Sequence, residues 1–264
     1  MEISMLTQER FCEILKVLDR KQSVTVQELV EILQTSESTI RRDLTELNRQ
    51  GKLVKVHGGA TAVHMNYETR DADVEVRQDK NKEEKLKIGR CAAGLIDSSD
   101  FVYIDAGTTT ERMIDFITQK DAIFVTNSAI HARMLSKKGM KVYLLGGEYK
   151  GSTEAVVGGE AVYSLQKYHF TKGFWGTNGI GIQAGYTTPE PSEALVKRAA
   201  MERTAKRYIL SDSSKFSRIS SVSFAAFEDA TIITTKVMDP AYQDCDNIIE
   251  AEGLQPCDRY RQGE

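Results

Sequence analysis

Ser36-Glu37-Ser38-Thr39-Ile40-Arg41-Arg42-Asp43-Leu44, continued as far as Gln50, is the stretch that decides how the first part of this chain folds. Ser36 is a typical helix N-cap, because its hydroxyl can accept a hydrogen bond from an amide of the first turn. Ile40, Leu44 and Leu47 recur at i, i+4 and i+7, which is the spacing of one apolar helical face. The sequence therefore predicts an amphipathic helix here.

The other face of this helix carries small hydroxyl groups and guanidinium groups. These belong to Ser38, Arg41, Arg42, Thr45 and Arg49. Small hydroxyls let a helix approach the floor of a DNA groove, and guanidinium groups bind guanine edges or phosphates. A solvated surface helix is the simpler explanation of the stretch alone, and its neighbours favour DNA binding.

Two shorter helices are predicted before this stretch, with Thr7 and Thr25 as their candidate N-caps. Each cap is followed by apolar residues spaced i, i+3, i+4 and i+7, the pattern of a core-facing stripe. The stripes are Phe11, Ile14, Leu15 and Leu18 in the first helix and Val26, Leu29, Val30 and Leu33 in the second. Three matching stripes predict a three-helix core, and the short turn at Gln34-Thr35 makes the last two helices a helix-turn-helix.

A β-wing is predicted after the third helix. Gly51 is a candidate helix C-cap, and the residues from 52 to 59 then alternate charged and apolar side chains before a Gly-Gly turn. Lys52, Lys55 and His57 would bring positive or polar groups to the DNA backbone. The whole chain has a net charge of -3, but residues 37–60 carry five basic side chains against three acidic ones. The basic surplus therefore lies where the predicted DNA contacts lie.

The motif T-I-R-R-D-L at 39–44, followed by L-x-x-x-G and by H-G-G-A at 57–60, resembles the winged helix-turn-helix of DeoR-family transcriptional regulators. The resemblance places the helix-turn-helix at residues 24–43 and the DNA-binding domain at residues 1–60. With the exposed helical face and the wing, it implies one set of DNA contacts. The set is Ser36, Ser38, Thr39, Arg41, Arg42, Thr45, Arg49, Lys52, Lys55 and His57.

The rest of the chain predicts a second, larger domain. Residues 61–76 are polar and lack periodicity, so we expect a linker there, and we expect a flexible tail at residues 252–264. Between them, short apolar runs alternate with helical stretches over residues 77–251. The apolar runs are at 101–104, 123–125, 142–145, 174–175, 208–210, 231–233 and, more weakly, 248–249. The first helical stretch begins at residue 84, and the others lie near 109–119, 128–138, 160–167 and 190–206. This alternation predicts an α/β fold with a mostly parallel, doubly wound sheet of the Rossmann-like type.

Polar residues follow five of the predicted strands. They are Asp105-Ala106-Gly107-Thr108-Thr109-Thr110, Thr126-Asn127-Ser128, Gly146-Gly147, Asn178-Gly179 and Asp212-Ser213-Ser214-Lys215. Each segment alone fits a plain helix cap or tight turn. Because the carboxyl ends of parallel strands meet at one edge of the sheet, the five together predict a ligand pocket. Hydroxyls, helix amides and Lys215 suit a phosphate, and Asp105, Asn127, Asn178 and Asp212 suit sugar hydroxyls.

This second domain also resembles the DeoR-family sensor domain, which is similar to sugar-phosphate isomerases such as ribose-5-phosphate isomerase. The motifs that carry the resemblance are D-A-G-T-T-T, T-N-S, L-L-G-G, the glycine of V-V-G at 156–158 and D-S-S-K-F at 212–216. It implies a phosphate contact from Lys85, although an exposed helix lysine explains that residue equally well. Lys197 fits a surface i,i+4 pair with Glu193. The predicted effector contacts are Lys85, Asp105, Gly107, Thr108, Thr109, Thr110, Thr126, Asn127, Ser128, Gly147, Asn178, Asp212 and Lys215.

A narrower resemblance concerns the sugar. Tyr168-x-Phe170, N-G at 178–179 and G-Y-T-T-P-E-P-S-E-A-L-V-K-R at 185–198 are similar to the fructose-operon repressors of this family. This resemblance implies fructose 1-phosphate as the effector. Thr171-Lys172-Gly173 departs from it, since the family often has an acidic residue there. The predicted function is thus a homo-oligomeric repressor, dimer or tetramer, that leaves operator DNA when a phosphosugar binds.

Two alternatives stay open at this point. The same parts could form an activator, since the sequence does not set the sign of regulation. The sensor domain could instead be a phosphosugar isomerase or deaminase with Asp105 or Asp212 as the base. We expect no enzyme activity, cofactor or metal, because the four histidines lie outside the strand-end motifs and form no ligand cluster. Scattered cysteines, and the lack of a signal peptide or membrane span, predict reduced thiols in a cytoplasmic protein.

Overall fold

The computed structural model describes residues 6–21, 23–50, 52–56, 58–62, 74–237 and 239–251. The chain divides into two units, Met1–Met65 and Asn66–Glu264. Predictions for Gly51, for His57, for most of the 61–76 segment and for the 252–264 tail lie outside the described residues. The described ends of the predicted linker are structured, since a strand continues to Ala62 and a helix starts at Val74.

The N-terminal unit contains three helices and a small antiparallel sheet. The helices are α1 (Thr7–Lys21), α2 (Val26–Leu33) and α3 (Glu37–Arg49), and the strands are β1 (Ser23–Thr25), β2 (Leu53–Val56) and β3 (Gly59–Ala62), in the sheet order β1-β3-β2. The predicted apolar stripes meet in one core around Ile14, Leu29 and Ile40, all fully buried. A three-helix core with a β-wing is therefore present.

The ends of these helices follow their sequence signals with one exception. Thr25 caps α2 in a capping box, in which the Glu28 amide donates to Thr25 Oγ1 at 3.2 Å and the Thr25 amide donates to Glu28 Oε2 at 2.8 Å. Ser36 caps α3 by accepting a hydrogen bond from the Thr39 amide at 3.2 Å. The prediction that Thr7 is a cap is wrong, because Thr7 is already the first residue of α1.

One glycine of the Gly-Gly turn in the wing, Gly59, is required for a steric reason. Gly59 pairs with Thr25 where β3 runs antiparallel to β1, and a Cβ atom at Gly59 would lie only 2.2 Å from the Val24 carbonyl oxygen. Only glycine permits this approach. Strand β1 itself was not predicted, because three residues between two helices carry too short a pattern.

The C-terminal unit contains a seven-stranded sheet in which every pairing is parallel. Its strands are β4 (Phe101–Ile104), β5 (Ile123–Thr126), β6 (Lys141–Leu144), β9 (Phe170–Gly176), β12 (Thr204–Leu210), β14 (Thr231–Thr234) and β15 (Ile248–Glu250), in the order β15-β14-β12-β9-β4-β5-β6. All seven coincide with the predicted apolar runs. The predicted parallel α/β fold is therefore confirmed.

Helices cover both faces of this sheet. They are α4 (Val74–Asp79), α5 (Lys82–Ala93), α6 (Thr108–Phe116), α7 (Ala129–Lys137), α8 (Gly159–Leu165) and α9 (Pro191–Glu202). Side chains alternate along the strands, so Tyr103 and Trp175 join the core that contains α8 and α9, while Val102 and Phe174 join the core of α5 and α6. The central strands are consequently buried on both faces, as a parallel sheet requires, whereas the edge strand β6 is largely exposed.

Five short strands outside the main sheet were not predicted. They are β7 (Glu148–Lys150) and β8 (Ala155–Val157), which form an antiparallel hairpin, and β10 (Gly179–Gly181), β11 (Gly185–Thr188) and β13 (Val222–Ala225), which form a second sheet. Helix α4 was also not predicted. Cys12 and Cys245 carry free thiols, whereas Cys91 is disulfide-bonded, so the prediction of four reduced thiols is wrong for Cys91. Within the described residues, no helix is long and apolar enough to cross a membrane.

Candidate functional sites

Helix α3 presents its predicted polar face to solvent. Arg41, Arg42, Thr45 and Arg49 are exposed, as are Ser36 and Ser38. Arg41 lies 2.5 Å from Glu37 and Arg49 lies 2.5 Å from Glu46, in pairs along the same helix. Exposed ion pairs are weak because water and salt compete with them, so both guanidinium groups can exchange a carboxylate for DNA.

The buried face of α3 holds one charged residue that the sequence prediction missed. Asp43 accepts two hydrogen bonds from Arg10 of α1, from Nε at 2.5 Å and from Nη2 at 3.1 Å. Its side chain is only 5 % exposed. The bidentate pair fixes α3 against α1 and thereby orients the exposed face. The signal lies in the motif itself, because Asp43 is adjacent to the apolar stripe at Leu44.

Hydrogen bonds from Lys55 help to join the wing to α3. The Lys55 amide donates to Asn48 Oδ1 at 2.8 Å, and Lys55 Nζ donates to Thr45 Oγ1 at 2.6 Å. Lys55 therefore lies beside the exposed face of α3, and Lys52 is half-buried at the start of β2. Asn48 was not among the predicted residues. Helix and wing together offer one continuous polar surface of the N-terminal unit.

In the C-terminal unit, a cavity lies at the carboxyl ends of the central strands. Nine of the thirteen predicted effector residues line it, namely Lys85, Asp105, Gly107, Thr108, Thr109, Asn127, Asn178, Asp212 and Lys215. The segments after β4, β5, β9 and β12 thus meet, as the rule for parallel sheets requires. Gly107 precedes the first turn of α6, so the amides of that turn open towards the cavity.

Four predicted residues do not line the cavity, because their groups serve the neighbouring backbone. Thr110 is fully buried and donates to the carbonyl of Asp105 at 2.7 Å. Thr126 Oγ1 accepts from the Ser128 amide, and Ser128 caps α7. Gly147 has a φ of +145° and a Cβ there would lie 2.8 Å from the Val157 carbonyl oxygen. These residues shape the turns beside the cavity.

The α5 and α6 side of the cavity is cationic. Lys85 is 4 % exposed, and its Nζ donates to Thr108 Oγ1 at 3.0 Å and to the Arg77 carbonyl. Burial lowers the pKa of Lys85, and the cations Lys215, Arg77 and Arg112 lower it further, against the opposing effect of Asp212. Lys85 is therefore a buried cation beside a helix N-terminus and not the exposed lysine of the alternative interpretation. Cations that disfavour one another's charge favour a bound anion.

Asp212 holds the turn that carries Lys215. Its Oδ1 accepts hydrogen bonds from the Ser214 amide at 3.0 Å, from Ser214 Oγ at 2.5 Å and from Asn81 Nδ2 at 2.8 Å. This oxygen therefore caps the short 3₁₀ turn Ser213–Lys215 and ties it to the start of α5. Asp212 therefore acts on a ligand chiefly by positioning Lys215.

The α9 side of the cavity carries two buried carboxylates balanced by two ammonium groups. Lys197 Nζ forms a buried ion pair with Asp105, and Glu193 Oε1 accepts from Thr153 at 2.7 Å and from Lys150 at 3.0 Å. Burial raises the pKa of Asp105, and Lys197 opposes that rise. Burial acts to raise the pKa of Glu193 as well, but Lys197, Thr153 and Lys150 together hold it below its usual value.

Amide groups complete this side. Asn127 Oδ1 accepts from the Ala106 amide at 2.8 Å, and Asn178 Oδ1 accepts from Thr188 Oγ1 at 3.4 Å. The two amides lie at the ends of β5 and β9, and Thr177 lies between β9 and Asn178. Such groups donate and accept hydrogen bonds at fixed positions, which suits a polyhydroxy ligand.

Apart from Lys85, the sequence prediction missed the cavity residues that lie outside the five strand-end segments. They are Arg77, Lys80, Thr153, Ala155, Gly176, Thr177, Glu193, Lys197, Leu210 and Ser211. The interpretation of Glu193 and Lys197 as a surface pair is wrong, since they are 8 % and 6 % exposed. A signal existed, because both share the i, i+4, i+7 stripe that continues to the buried Ala200. Within the described residues, no group of three His, Cys, Asp or Glu side chains could hold a metal ion.

Family models match both the N-terminal and the C-terminal part of the chain. A family model described as the DeoR-like helix-turn-helix domain matches residues 10–66, and one described as the DeoR C terminal sensor domain matches residues 80–236. The chain is 44% identical over 232 residues to the "Uncharacterized HTH-type transcriptional regulator FruR" of Bacillus subtilis (strain 168), covering 88% of this chain and 92% of that protein. It is 32% identical to the "Lactose phosphotransferase system repressor" of Streptococcus mutans, covering 89% and 94%.

Two solved structures were also aligned with the chain. Ribose 5-phosphate isomerase A from Methanocaldococcus jannaschii gives a TM-score of 0.38 at 13% identity, over 52% of this chain and 55% of that one. The sorbitol operon regulator SorC from Klebsiella pneumoniae gives a TM-score of 0.35 at 11% identity, over 78% and 88%. The two domain matches and the full-length relatives carry the assignment: the chain belongs to the DeoR family of helix-turn-helix DNA-binding transcriptional regulators.

Proposed function

We propose that this regulator represses a sugar-utilisation operon and that a phosphorylated sugar bound in the strand-end cavity releases it from operator DNA. Fructose 1-phosphate is the favoured effector. The observation that carries the proposal is the division of the cavity into a cationic side and a side of balanced carboxylates and amides. A phosphomonoester joined to a chain of hydroxyls has the matching division of charge.

The phosphate in this proposal binds at the start of α6. Lys85, Lys215, Gly107, Thr108 and Thr109 surround that position with two ammonium groups, two hydroxyls and backbone amides. Charge-assisted hydrogen bonds of this kind are stronger than neutral ones, and the helix N-terminus adds to them. The sugar hydroxyls then reach the opposite side of the cavity, at Asp105, Asn127 and Asn178, while Asp212 lies on the phosphate side and positions Lys215.

The DNA contacts in this proposal come from α3 and the wing. The exposed residues Ser36, Ser38, Arg41, Arg42, Thr45 and Arg49 meet the major groove, together with Thr39, Lys52 and Lys55. His57, which lies outside the described residues, is a further proposed contact. Two or more copies of the chain bind two operator half-sites, and the phosphosugar favours an arrangement of the copies that no longer fits both. Relatives that are named repressors support repression over activation.

Operator binding tests the proposal. The full chain should bind its own operator in a gel shift, and fructose 1-phosphate should weaken that binding while fructose without phosphate leaves it unchanged. A reporter gene behind the same operator separates the two signs of regulation, because loss of the regulator raises expression under a repressor and lowers it under an activator. Operator affinity that no phosphosugar changes would contradict the proposal.

We propose further that the domain binds its ligand without converting it. The carboxylate of Asp105 is held by Lys197, and one oxygen of Asp212 is committed to capping a turn, so neither is placed as an unengaged base. Incubation of the protein with fructose or ribose phosphates, followed by NMR, should return them unchanged. Turnover that disappears in Asp105→Asn would contradict this part of the proposal.

A further inference from the structure

The two sides of the cavity differ in the balance of the charged side chains that line them. On the side of α4, α5 and the 213–215 turn, four cations line the cavity against one carboxylate. These are Arg77, Lys80, Lys85 and Lys215 against Asp212. On the α9 side, Lys197 and Lys150 are matched by Asp105 and Glu193. The charged residues that line the α4 and α5 side are therefore mostly cations, whereas ammonium groups and carboxylates pair one to one on the α9 side.

The cations of the α9 side are also committed by geometry. Lys197 Nζ donates to Asp105 and to the Gly176 carbonyl at 3.2 Å, and Lys150 Nζ lies 3.0 Å from Glu193 and 3.7 Å from Glu190. A phosphate arriving here would have to displace a carboxylate from its ammonium partner. That carboxylate would then remain buried beside the phosphate, and two like charges in a partly buried site repel strongly.

Of the two carboxylates on the α9 side of the cavity, Glu193 is held by more hydrogen bonds than Asp105. Thr153, Thr188 and Lys150 all hold it, at 2.7, 3.3 and 3.0 Å, and its pKa is kept below the usual value, so it is ionised at neutral pH. Asp105, one strand end away, adds a second carboxylate. Sugar hydroxyls can donate to both groups, whereas a phosphate dianion cannot.

We propose that Glu193 makes the cavity selective for a sugar that carries a single phosphate and excludes the same sugar with a phosphate at each end. The proposal rests on the phosphosugar-sensing function above and adds the residue that determines ligand class. The phosphate binds among the cations of the α4 and α5 side, and the hydroxyl end lies against Glu193. A second phosphate at that end meets a carboxylate whose neighbouring ammonium groups already form ion pairs.

Calorimetric titration of the full chain with fructose 1-phosphate, fructose 6-phosphate and fructose 1,6-bisphosphate tests this proposal. Wild type should bind at least one monophosphate more tightly than the bisphosphate by about 10-fold or more, as expected for one repulsive charge pair in a partly buried site. In Glu193→Gln the preference should shrink by about the same factor, mainly through tighter binding of the bisphosphate.

Glu190→Gln is the matched control. This substitution is chemically the same and lies three residues earlier. Glu190 also contacts Lys150 but does not line the cavity, so its substitution should leave the preference for monophosphates unchanged. Wild type that binds the bisphosphate as tightly as both monophosphates overturns the proposal even if Glu193→Gln does not fold. Equal weakening of all ligands in Glu193→Gln overturns it too, since that marks a structural role. Absence of binding by all three ligands overturns the proposed function together with this inference.

Discussion

At the scale of single residues, the arginines of α3 and the lysines of the wing have separable expected roles. Arg41 is exposed on the helical face, where a guanidinium fork can bind a guanine through two hydrogen bonds. Lys52 lies at the start of the wing, and its proposed partner is a phosphate. Base contacts give sequence preference and phosphate contacts give affinity for any duplex.

Replacement of these two residues should therefore give different results. Arg41→Ala should cost about 1–3 kcal/mol on the cognate operator and relax sequence preference. Lys52→Ala should weaken binding to cognate and random duplexes alike and flatten the salt dependence. Fluorescence anisotropy with both duplexes at several salt concentrations measures these effects. Equal losses on both duplexes for both variants would show that the reading face lies elsewhere.

Lys85 makes effector binding depend on pH. Its pKa is lowered by burial and by neighbouring cations, and a bound phosphate favours its charged form, so binding takes up a proton. Affinity for fructose 1-phosphate should thus fall as pH rises through the lowered pKa of Lys85. The measurement is made above about pH 7, where the phosphate is already a dianion and its own titration does not contribute. Titration calorimetry from neutral to alkaline pH measures this fall. Lys85→Met should bind more weakly and lose the slope, and an unchanged slope would place the phosphate away from Lys85.

At the scale of elements, the orientation of α3 depends on α1 through the Arg10–Asp43 pair. Asp43→Ala leaves the nearly buried Arg10 guanidinium without its carboxylate, which should cost about 1–3 kcal/mol of unfolding free energy. Operator affinity should fall with it. Urea denaturation followed by circular dichroism measures the first effect. Glu37→Ala, in an exposed pair on the same helix, is the control and should change stability by less than about 0.5 kcal/mol.

Elements with a long periodic pattern were predictable, and elements that depend on distant contacts were not. The stripes of α1, α2 and α3 and all seven strands of the parallel sheet have enough apolar residues to be recognised. Strands β7, β8 and β10 are three residues long, and their pairing partners decide their conformation. The same limit applies to the cavity, because the charge pair at Glu193 and Lys197 looks identical on a surface helix and on a buried one.

At the scale of the whole molecule, the chain combines a helix-turn-helix unit with a unit whose cavity is the proposed phosphosugar site. Arg77 of helix α4 and Lys80, which directly follows that helix, both line the cavity, and α4 is the first described element after the N-terminal unit. The proposed ligand would thus contact an element that is close in sequence to the N-terminal unit. Binding of DNA and of phosphosugar should therefore oppose each other, and thermodynamic linkage requires the opposition to be mutual.

The most direct test of this central claim measures the linkage in both directions on the full chain. Operator affinity is determined with and without saturating fructose 1-phosphate, and affinity for fructose 1-phosphate is determined with and without saturating operator. The account predicts that each ligand weakens the other by the same factor, about 5- to 150-fold for a typical coupling. Fructose 1-phosphate that binds with the same affinity to free and operator-bound protein would contradict it.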